Sequence, residues 1–159
     1  MRAAVLFILL SACGYHLVDP GIGGGRSLSI PVAENPTRWR GIESSLTLSL
    51  REEAQRQLDV RLESKSDADL ILTTQVTNAS RRALVADRQG NVSVGSAALT
   101  IDWQLVNRSG AQLSEGRFRR NFEFRPDVGE TSEDSLRRIA HQASQAIVTE
   151  VSSRLAKTD

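Results

Sequence analysis

The clearest hydrophobic pattern in the chain is an alternation of apolar and polar residues over positions 92–106. Every second position from 97 onward is apolar: Ala97, Leu99, Ile101, Trp103 and Leu105. Ala98, Thr100, Asp102 and Gln104 lie between them and belong to the opposite face. Because successive side chains of a strand point to opposite faces, the pattern predicts a strand with one buried side.

Similar alternation flanks this strand on both sides. In the preceding strand, Leu70, Leu72, Thr74 and Val76 share one face, and residues 87–91 predict a hairpin turn. A second turn at 107–110 leads to a last strand over about 112–124, with Phe118, Phe122 and Phe124 on one face. Arg120 falls among these phenylalanines, which indicates either a β-bulge or a cation held over an aromatic ring.

Two segments have the spacing of amphipathic helices. Residues 41–58 align one apolar stripe, formed by Ile42, Leu46, Leu50, Ala54 and Leu58. Residues 131–155 repeat apolar side chains at helical spacing from Leu136 to Leu155. Thr131 and the acidic residues after it are typical of a capped helix start. Each helix is therefore expected to bury one face.

A shorter strand opens the predicted domain at Ser27, where Leu28, Ile30 and Val32 alternate with other residues. Pro31 predicts that this strand lies at a sheet edge or ends there, because proline cannot donate to a ladder. Residues 60–62 form another short alternating stretch. This order of elements predicts an α+β two-layer sandwich, with both helices on one face of a mostly antiparallel sheet.

The N-terminus has the pattern of an export signal. Arg2 is followed by an uninterrupted apolar run from Ala3 to Leu10, which is too short to span a bilayer. Ser11 and Ala12 precede Cys13, the one cysteine of the chain. We therefore predict a lipoprotein signal peptide over residues 1–12 and lipidation of Cys13. An ordinary signal peptide with an incidental cysteine is the alternative.

Residues 13–26 contain a cluster of glycines that is typical of a flexible tether. The glycines precede the first strand and lack the Lys-Ser/Thr ending of a phosphate-binding loop, so we exclude that function. Residues 27–159 are then expected to form a single α+β domain, long enough to bury a substantial core.

The composition of the chain argues against several classes of function. Removal of a signal containing Arg2 leaves equal numbers of basic and acidic side chains, and such a neutral chain is not typical of a general nucleic-acid binder. The two histidines, His16 and His141, lie far apart, and no cysteine cluster is present, so we expect no metal site. No known arrangement of nucleophile and base occurs, so we predict no enzymatic activity and no cofactor.

The arginine side chains are the remaining candidates for a binding site. Arg81, Arg82 and Arg88 flank one hairpin, and Arg117, Arg119 and Arg120 lie on the last strand. If the two groups are close in space, they form a cationic patch able to hold an anionic glycolipid head group, since guanidinium forks match phosphates and carboxylates. The alternative is a solvated strand face on which arginine provides solubility and edge protection.

The order of several motifs resembles the LptE family of lipopolysaccharide-assembly lipoproteins of the outer membrane. These motifs are Ser-Ala-Cys-Gly-Tyr-His-Leu at 11–17, Leu-Ser-Ile-Pro-Val at 28–32, Glu-Asn-Pro-Thr at 34–37, Gly-Ile-Glu at 41–43, Ala-Asp-Leu-Ile-Leu at 68–72 and the long C-terminal helix. The resemblance implies two helices on a four-stranded sheet and a position inside a large β-barrel partner. It also implies lipopolysaccharide binding through basic residues. Gly14, directly after the cysteine, matches the sequence pattern of lipoproteins that are sorted to the outer membrane.

The first hypothesis is a non-enzymatic lipoprotein that plugs a β-barrel translocon and assists lipopolysaccharide assembly. It would be lipid-anchored on the periplasmic side of the outer membrane, with residues 78–91 against the barrel wall. The alternative is a periplasm-facing lipoprotein that carries another lipid or a peptidoglycan ligand between its helices and sheet. That alternative predicts a large apolar cavity, whereas a tightly filled core would disfavour it.

Overall fold

The computed structural model describes residues 21–157, which form two helices and one five-stranded sheet. The elements are β1 (Arg26–Ser29), α1 (Ile42–Gln57), β2 (Val60–Leu62), β3 (Leu70–Ala86), β4 (Val92–Asn107), β5 (Gln112–Phe124), a short 3-10 turn (Pro126–Val128) and α2 (Ser132–Leu155). The α+β class is confirmed. Cys13, the signal segment and residues 13–20 of the predicted tether lie outside the described residues.

The sheet differs from the prediction in two respects. It has five strands instead of four, in the order β2-β1-β3-β4-β5, and it is mixed instead of mostly antiparallel. β1 runs parallel to both of its neighbours, β2 and β3. Because α1 connects β1 to β2, this half of the sheet is a β-α-β unit, in which parallel pairing requires a crossover connection.

β1 occupies an interior position, so the prediction of an edge strand from Pro31 is wrong. The second part of that prediction holds, because the strand ends at Ser29, before the proline. Leu28 and Ile30 are buried, whereas Val32 is 64% exposed and does not continue their face. Beyond Pro31 the chain stays beside β3 through an isolated parallel bridge between Glu34 and Gln75.

A carboxylate joins β1 to the start of β3. Asp69 accepts hydrogen bonds from the backbone N–H and the hydroxyl of Ser27, at 3.1 and 2.7 Å. The Ser27 hydroxyl oxygen in turn accepts from the Asp69 backbone N–H at 2.9 Å. The hydrogen bonds from Ser27 hold the pKa of the Asp69 carboxyl below its usual value. The side chain that precedes β3 thus fixes the parallel partner of that strand.

The folded unit begins earlier than predicted. Residues 21–25 form turns that are hydrogen-bonded to the segment between α1 and β2. The Asp59 N–H donates to the Ile22 carbonyl at 2.7 Å, and the Gly25 N–H donates to the Asp59 carbonyl at 3.0 Å. The described part of the predicted tether therefore belongs to the domain.

β3, β4 and β5 form an antiparallel meander, as the alternation predicts. The apolar face of β4 is buried beneath the helices, and its members Ala97, Leu99, Ile101, Trp103 and Leu105 are at most 4% exposed. β3 contains irregularities near Val76 and near Ala83, which shift its alternation before the hairpin turn. β3 has 17 residues, and at a rise of about 3.3 Å per residue it measures about 56 Å.

The two helices pack against each other; α2 also packs against β4 and β5, and α1 lies beside β2. Buried residues of both helices join those of the sheet in one core. The α1 stripe of Ile42, Leu46, Leu50 and Ala54 is buried, as predicted. In α2, Thr131 caps the first turn by accepting a hydrogen bond from the Asp134 N–H at 3.1 Å. The side chain of Gln145 on α2 reaches Glu53 on α1, a nearly buried carboxylate that also accepts from Arg56 and Gln57.

The ring of Phe124 on β5 lies over Gly95, its partner on β4. A Cβ atom at this position would lie 2.3 Å from the Phe124 ring, which is nearly buried. We expect Gly95→Ala to lower the free energy of unfolding by about 1–3 kcal/mol, because the ring has to move within a packed site. Urea unfolding followed by circular dichroism measures this change.

Phe124→Leu provides the control, because a smaller side chain leaves room for the added methyl group. We expect the double variant to lose less stability than the sum of the two single losses, by about 0.5 kcal/mol or more. Strictly additive losses would show that the close contact is not the cause.

Candidate functional site

Five of the six candidate arginines lie on the two strands that flank β4, and the sixth lies in the turn between β3 and β4. Arg81 and Arg82 are on β3, Arg88 is in the hairpin turn, and the other three are on β5. Arg81 is opposite Ala97, and Arg120 is opposite Leu99. The fold therefore brings the two groups to either side of one strand, in the half of the sheet near the hairpin turn.

The pleat divides these arginines between the two faces of the sheet. The β4 partners of Arg81 and Arg120 are buried beneath the helices, so these two arginines share the helix-facing side. Arg82, Arg117 and Arg119 pair with positions of the opposite parity and lie on the open face. The predicted cationic patch is conditional on the two groups being close in space, and the pleat divides them between the two faces of the sheet.

Arg117 is already engaged within the protein. Its Nε donates to Asp102 Oδ1 at 2.6 Å, and its second nitrogen donates to Asp102 Oδ2 at 2.9 Å. This two-point pairing raises the pKa of Arg117 and holds the pKa of the Asp102 carboxyl below its usual value. Of the six arginines, Arg117 is thus the least available to an external anion.

Arg81 lies over the ring of Trp39, with its guanidinium carbon 5.4 Å from the ring centroid. Arg38 lies 5.7 Å from the same centroid. Cation–π contacts of this kind hold a guanidinium in place while leaving its N–H groups able to donate. Trp39 Nε1 is itself buried without a hydrogen-bond partner within the described residues. The loop before α1 thereby positions Arg81.

Arg120 fits neither of the two sequence interpretations. The β4–β5 register is regular around it, so no bulge is present there. The cation over an aromatic ring in this region is Arg138 of α2, whose guanidinium carbon is 4.7 Å from the centroid of Phe122. Arg120 instead lines a groove between β5 and α2, together with Gln142 and Glu150.

The hairpin combines exposed cations with exposed apolar side chains. Arg81, Arg82 and Arg88 are exposed, and Leu84 and Val85 between them are 46% and 53% exposed. The guanidinium groups of Arg82 and Arg88 make no hydrogen bond or ion pair within residues 21–157. Such a surface offers donors to phosphate or carboxylate groups beside a small apolar area. We call Arg81, Arg82 and Arg88 the hairpin arginines.

The LptE family model for lipopolysaccharide assembly matches residues 25–151, which is most of the chain and nearly all of the described domain. The chain belongs to the LptE family. No curated protein matches the sequence at a significant level.

Solved structures show the same fold at low sequence identity. This LptE-family chain is similar to a lipoprotein of Caulobacter crescentus, with 18% identity, a TM-score of 0.59 and coverage of 89% of this chain and 97% of that one. Lipoprotein B of Nitrosomonas europaea is 17% identical, with a TM-score of 0.53 and coverage of 81% and 83%. A Chlamydia trachomatis protein has a TM-score of 0.59 at 6% identity, with coverage of 82% and 98%.

Two further observations concern the described part of this LptE-family chain. Within residues 21–157, no group of three or more His, Cys, Asp or Glu side chains is placed to hold a metal ion. None of its helices combines the length and the apolar character needed to cross a bilayer.

Sequence reasoning missed two residues of this site, Trp39 and Arg138. Trp39 lies in the loop between β1 and α1 and has no periodic neighbour that would mark it as part of a site. Arg138 is an exposed residue of α2 outside its apolar stripe, and only the packing of α2 on β5 brings it to Phe122. An aromatic residue between two arginines, Arg38-Trp39-Arg40, was the one available sequence signal.

The Asp102–Arg117 pair makes a direct prediction for this LptE-family chain. We expect the Asp102 carboxyl to titrate below its ordinary pKa, and the Arg117→Gln variant to raise that pKa toward the ordinary value. A carboxyl group whose pKa is lower in the folded state than in the unfolded state stabilises the protein at pH values above its unfolded-state pKa. That stabilisation is lost as the pH falls through the folded-state pKa. Carbon-13 NMR of the carboxyl carbons follows the titration.

Arg119→Gln is the matched control, because Arg119 lies on the same face of β5 and is not paired with Asp102. It should leave the Asp102 titration unchanged. Equal titration curves in the wild type and in the Arg117→Gln variant would contradict the pairing.

Proposed function

We propose that this LptE-family chain is a lipoprotein of the outer membrane that forms a complex with a β-barrel translocon and assists lipopolysaccharide assembly. The signal segment 1–12 is removed, Cys13 carries the lipid, and the domain is held on the periplasmic side of the membrane. The protein acts by shape and charge, without a catalytic step. The observation that carries this proposal is the match of the family model over residues 25–151.

The dimensions of the domain support a role inside a barrel. β3 measures about 56 Å, whereas a bilayer is about 40–45 Å thick including its head groups. β1 is paired with the first residues of β3, so the N-terminal end of the domain lies at the opposite end of the sheet from the hairpin turn. A domain anchored at one leaflet by its N-terminus can therefore extend the hairpin toward the other leaflet.

The hairpin arginines are the strongest candidates for contact with lipopolysaccharide. They are exposed, and the neighbouring Leu84 and Val85 offer apolar contact to an acyl chain. Phosphates on the head group provide the matching acceptors for guanidinium donors. Arg117, Arg119 and Arg120 were candidates by chemistry, but Arg117 is paired with Asp102.

The packing of the core favours this function over a carrier that holds a ligand between its helices and sheet. The largest side chains in that layer, including Leu46, Leu99 and Ile147, are at most 1% exposed and pack in one cluster. The grooves of the described residues are open surface features with mixed polar and apolar linings, and they lie outside this layer. A lipid carrier would require an apolar cavity in the layer that these side chains fill.

We expect the double variant Arg81→Glu/Arg82→Glu to weaken lipopolysaccharide binding by about tenfold or more at low salt, which corresponds to about 1.4 kcal/mol. The difference from the wild type should shrink as salt is raised, because exposed charges are screened. Titration of purified lipopolysaccharide into the mature protein in detergent, followed by fluorescence polarisation, measures the affinity.

The matched control reverses two charges at the other end of the sheet, in the variant Arg61→Glu/Lys65→Glu. Both residues are exposed, and the net change of charge is the same. Equal weakening in the two double variants would show a general charge effect and would remove the hairpin arginines from the proposed contact.

The partner is tested by purification from membranes. We expect the tagged, mature protein to co-purify with a large β-barrel protein after gentle solubilisation, in a stable stoichiometric complex. Mass spectrometry of the intact protein from the same preparation should show a chain that begins at Cys13 and carries acyl groups.

Two outcomes would contradict the proposal separately. Recovery only as a free monomer would exclude a stable barrel complex. An unmodified Cys13, or a mature N-terminus elsewhere, would exclude the lipid anchor while leaving the barrel complex to be judged on the co-purified proteins.

A further inference from the structure

β5 forms one edge of the sheet and has no strand on its outer side within the described residues. It has 13 residues, whereas the strand at the other edge, β2, has three. On an edge strand of an antiparallel ladder, about half of the backbone N–H and C=O groups point away from the sheet. β5 therefore presents a long row of backbone donors and acceptors, and β2 presents only a short one.

The geometry of this edge suits a further strand. From Ser114 to Phe124 the pairing of β5 with β4 is continuous, and its one irregularity lies at the opposite end, between Leu105 and Val106. β-Bulges and short lengths are common devices that prevent pairing at a sheet edge. β5 has neither of these two devices over the stretch that begins at Ser114.

A groove runs beside β5 on the helix-facing side. Its volume is about 660 Å³, and it is lined by Arg120 and by α2 residues with mostly short or uncharged side chains: Gln142, Gln145, Ala146, Thr149, Glu150 and Ser153. A strand added to β5 would lie about 4.8 Å beyond it, and every second side chain would point toward α2. The groove provides the space for those side chains.

Unpaired polar groups show what kind of strand fits. The guanidinium groups of Arg119 and Arg120 make no hydrogen bond or ion pair within residues 21–157. Because they are successive residues, one faces the groove and the other faces the open side of the sheet.

Acidic residues restrict the register. Glu115 and Glu123 lie on β5 at equal distances along the chain from Arg119, and Glu150 lines the groove. The basic centre of β5 therefore favours a strand with acidic side chains opposite Arg119 and Arg120. The acidic residues toward the ends of β5 disfavour acidic side chains there. Opposite charges on neighbouring strands stabilise a pair, and like charges oppose it.

We propose that β5 binds an extended segment of another protein as a sixth strand, and that this segment carries acidic side chains on both faces opposite Arg119 and Arg120. Backbone pairing supplies the affinity, and the two arginines supply the choice of sequence and register. The inference goes beyond the proposed function, since it assigns a surface separate from the hairpin arginines.

A second copy of the chain does not match both arginines. Antiparallel self-pairing of β5 centred on Arg119 or on Arg120 places that arginine opposite its own copy. Centring on Asn121 pairs Arg119 with Glu123 but places Arg120 opposite Phe122, without an acidic partner. Arginine on an edge also protects against unselective pairing. Protection alone does not account for the groove between β5 and α2.

The test uses the mature, detergent-solubilised chain and a synthetic capped peptide, Thr-Val-Thr-Glu-Glu-Thr-Val-Thr, in which the successive glutamates fall on opposite faces. Hydrogen–deuterium exchange with mass spectrometry measures protection of residues 112–124, with the hairpin turn as the internal reference. We expect saturating peptide to slow exchange in β5 by about tenfold or more, a change that corresponds to about 1.4 kcal/mol, and to leave the hairpin turn unchanged.

Two control peptides separate backbone pairing from simple charge attraction. Replacing the glutamates by lysines should abolish the protection of β5. Replacing a central threonine by proline keeps the charge but removes a ladder donor, and it should also abolish the protection. Equal protection by the proline peptide, or no protection by the original peptide, would overturn the proposal.

Matched variants complete the test. Arg119→Glu/Arg120→Glu should weaken peptide binding by about tenfold or more, whereas Arg82→Glu/Arg88→Glu should leave peptide binding unchanged. Equal effects of the two variants would overturn the assignment to β5, as would protection of β5 by lipopolysaccharide or by phosphatidylglycerol vesicles in place of the peptide. Because the lipopolysaccharide test uses the hairpin arginines, failure of one proposal does not imply failure of the other.

Discussion

The fold depends on the burial of one face of β4 beneath the helical layer, in which α2 packs directly against this strand. The alternate residues from Ala97 to Leu105 are at most 4% exposed, and burial of each large apolar side chain contributes about 1.5–3 kcal/mol. A slip of one residue in register would place Thr100 and Asp102 under the helices and expose this apolar face. The burial of β4 therefore fixes the register of β3 and β5, and through them the face on which every side chain of the meander lies.

The distribution of charge follows directly from that constraint. Because β3 and β5 are held in register with β4, the neighbouring arginines Arg81 and Arg82 point to opposite faces, and so do Arg119 and Arg120. A cluster that is compact in sequence thus becomes a two-sided distribution in space. Intramolecular contacts then distinguish its members, since Arg117 is held by Asp102 and Arg81 lies over Trp39.

The molecule separates a filled body from surfaces that can meet other molecules. The helices, β1 and the buried side of the meander form one apolar cluster, which gives the body its rigidity. The hairpin turn and the outer edge of β5 contribute less to that cluster and carry exposed cations. This separation suits a member of a lipopolysaccharide-assembly family, in which the proposed contacts depend on the shape and charge of the surface.

The sequence by itself determined the elements whose pattern is local. Strict alternation predicted β4, helical spacing predicted α1 and α2, and Thr131 with the acidic residues after it predicted the start of α2; all of these agree with the structure. The ordered motifs predicted the family. Only the tertiary structure decided the interior position of β1, because a parallel neighbour is reached through α1 and leaves no signal in a four-residue strand. It also decided which arginines are free, since the pairing of Arg117 with Asp102 and of Arg81 with Trp39 joins residues far apart in the chain. Local periodicity records which side of an element is buried, whereas the partner of that side is set by packing between distant segments.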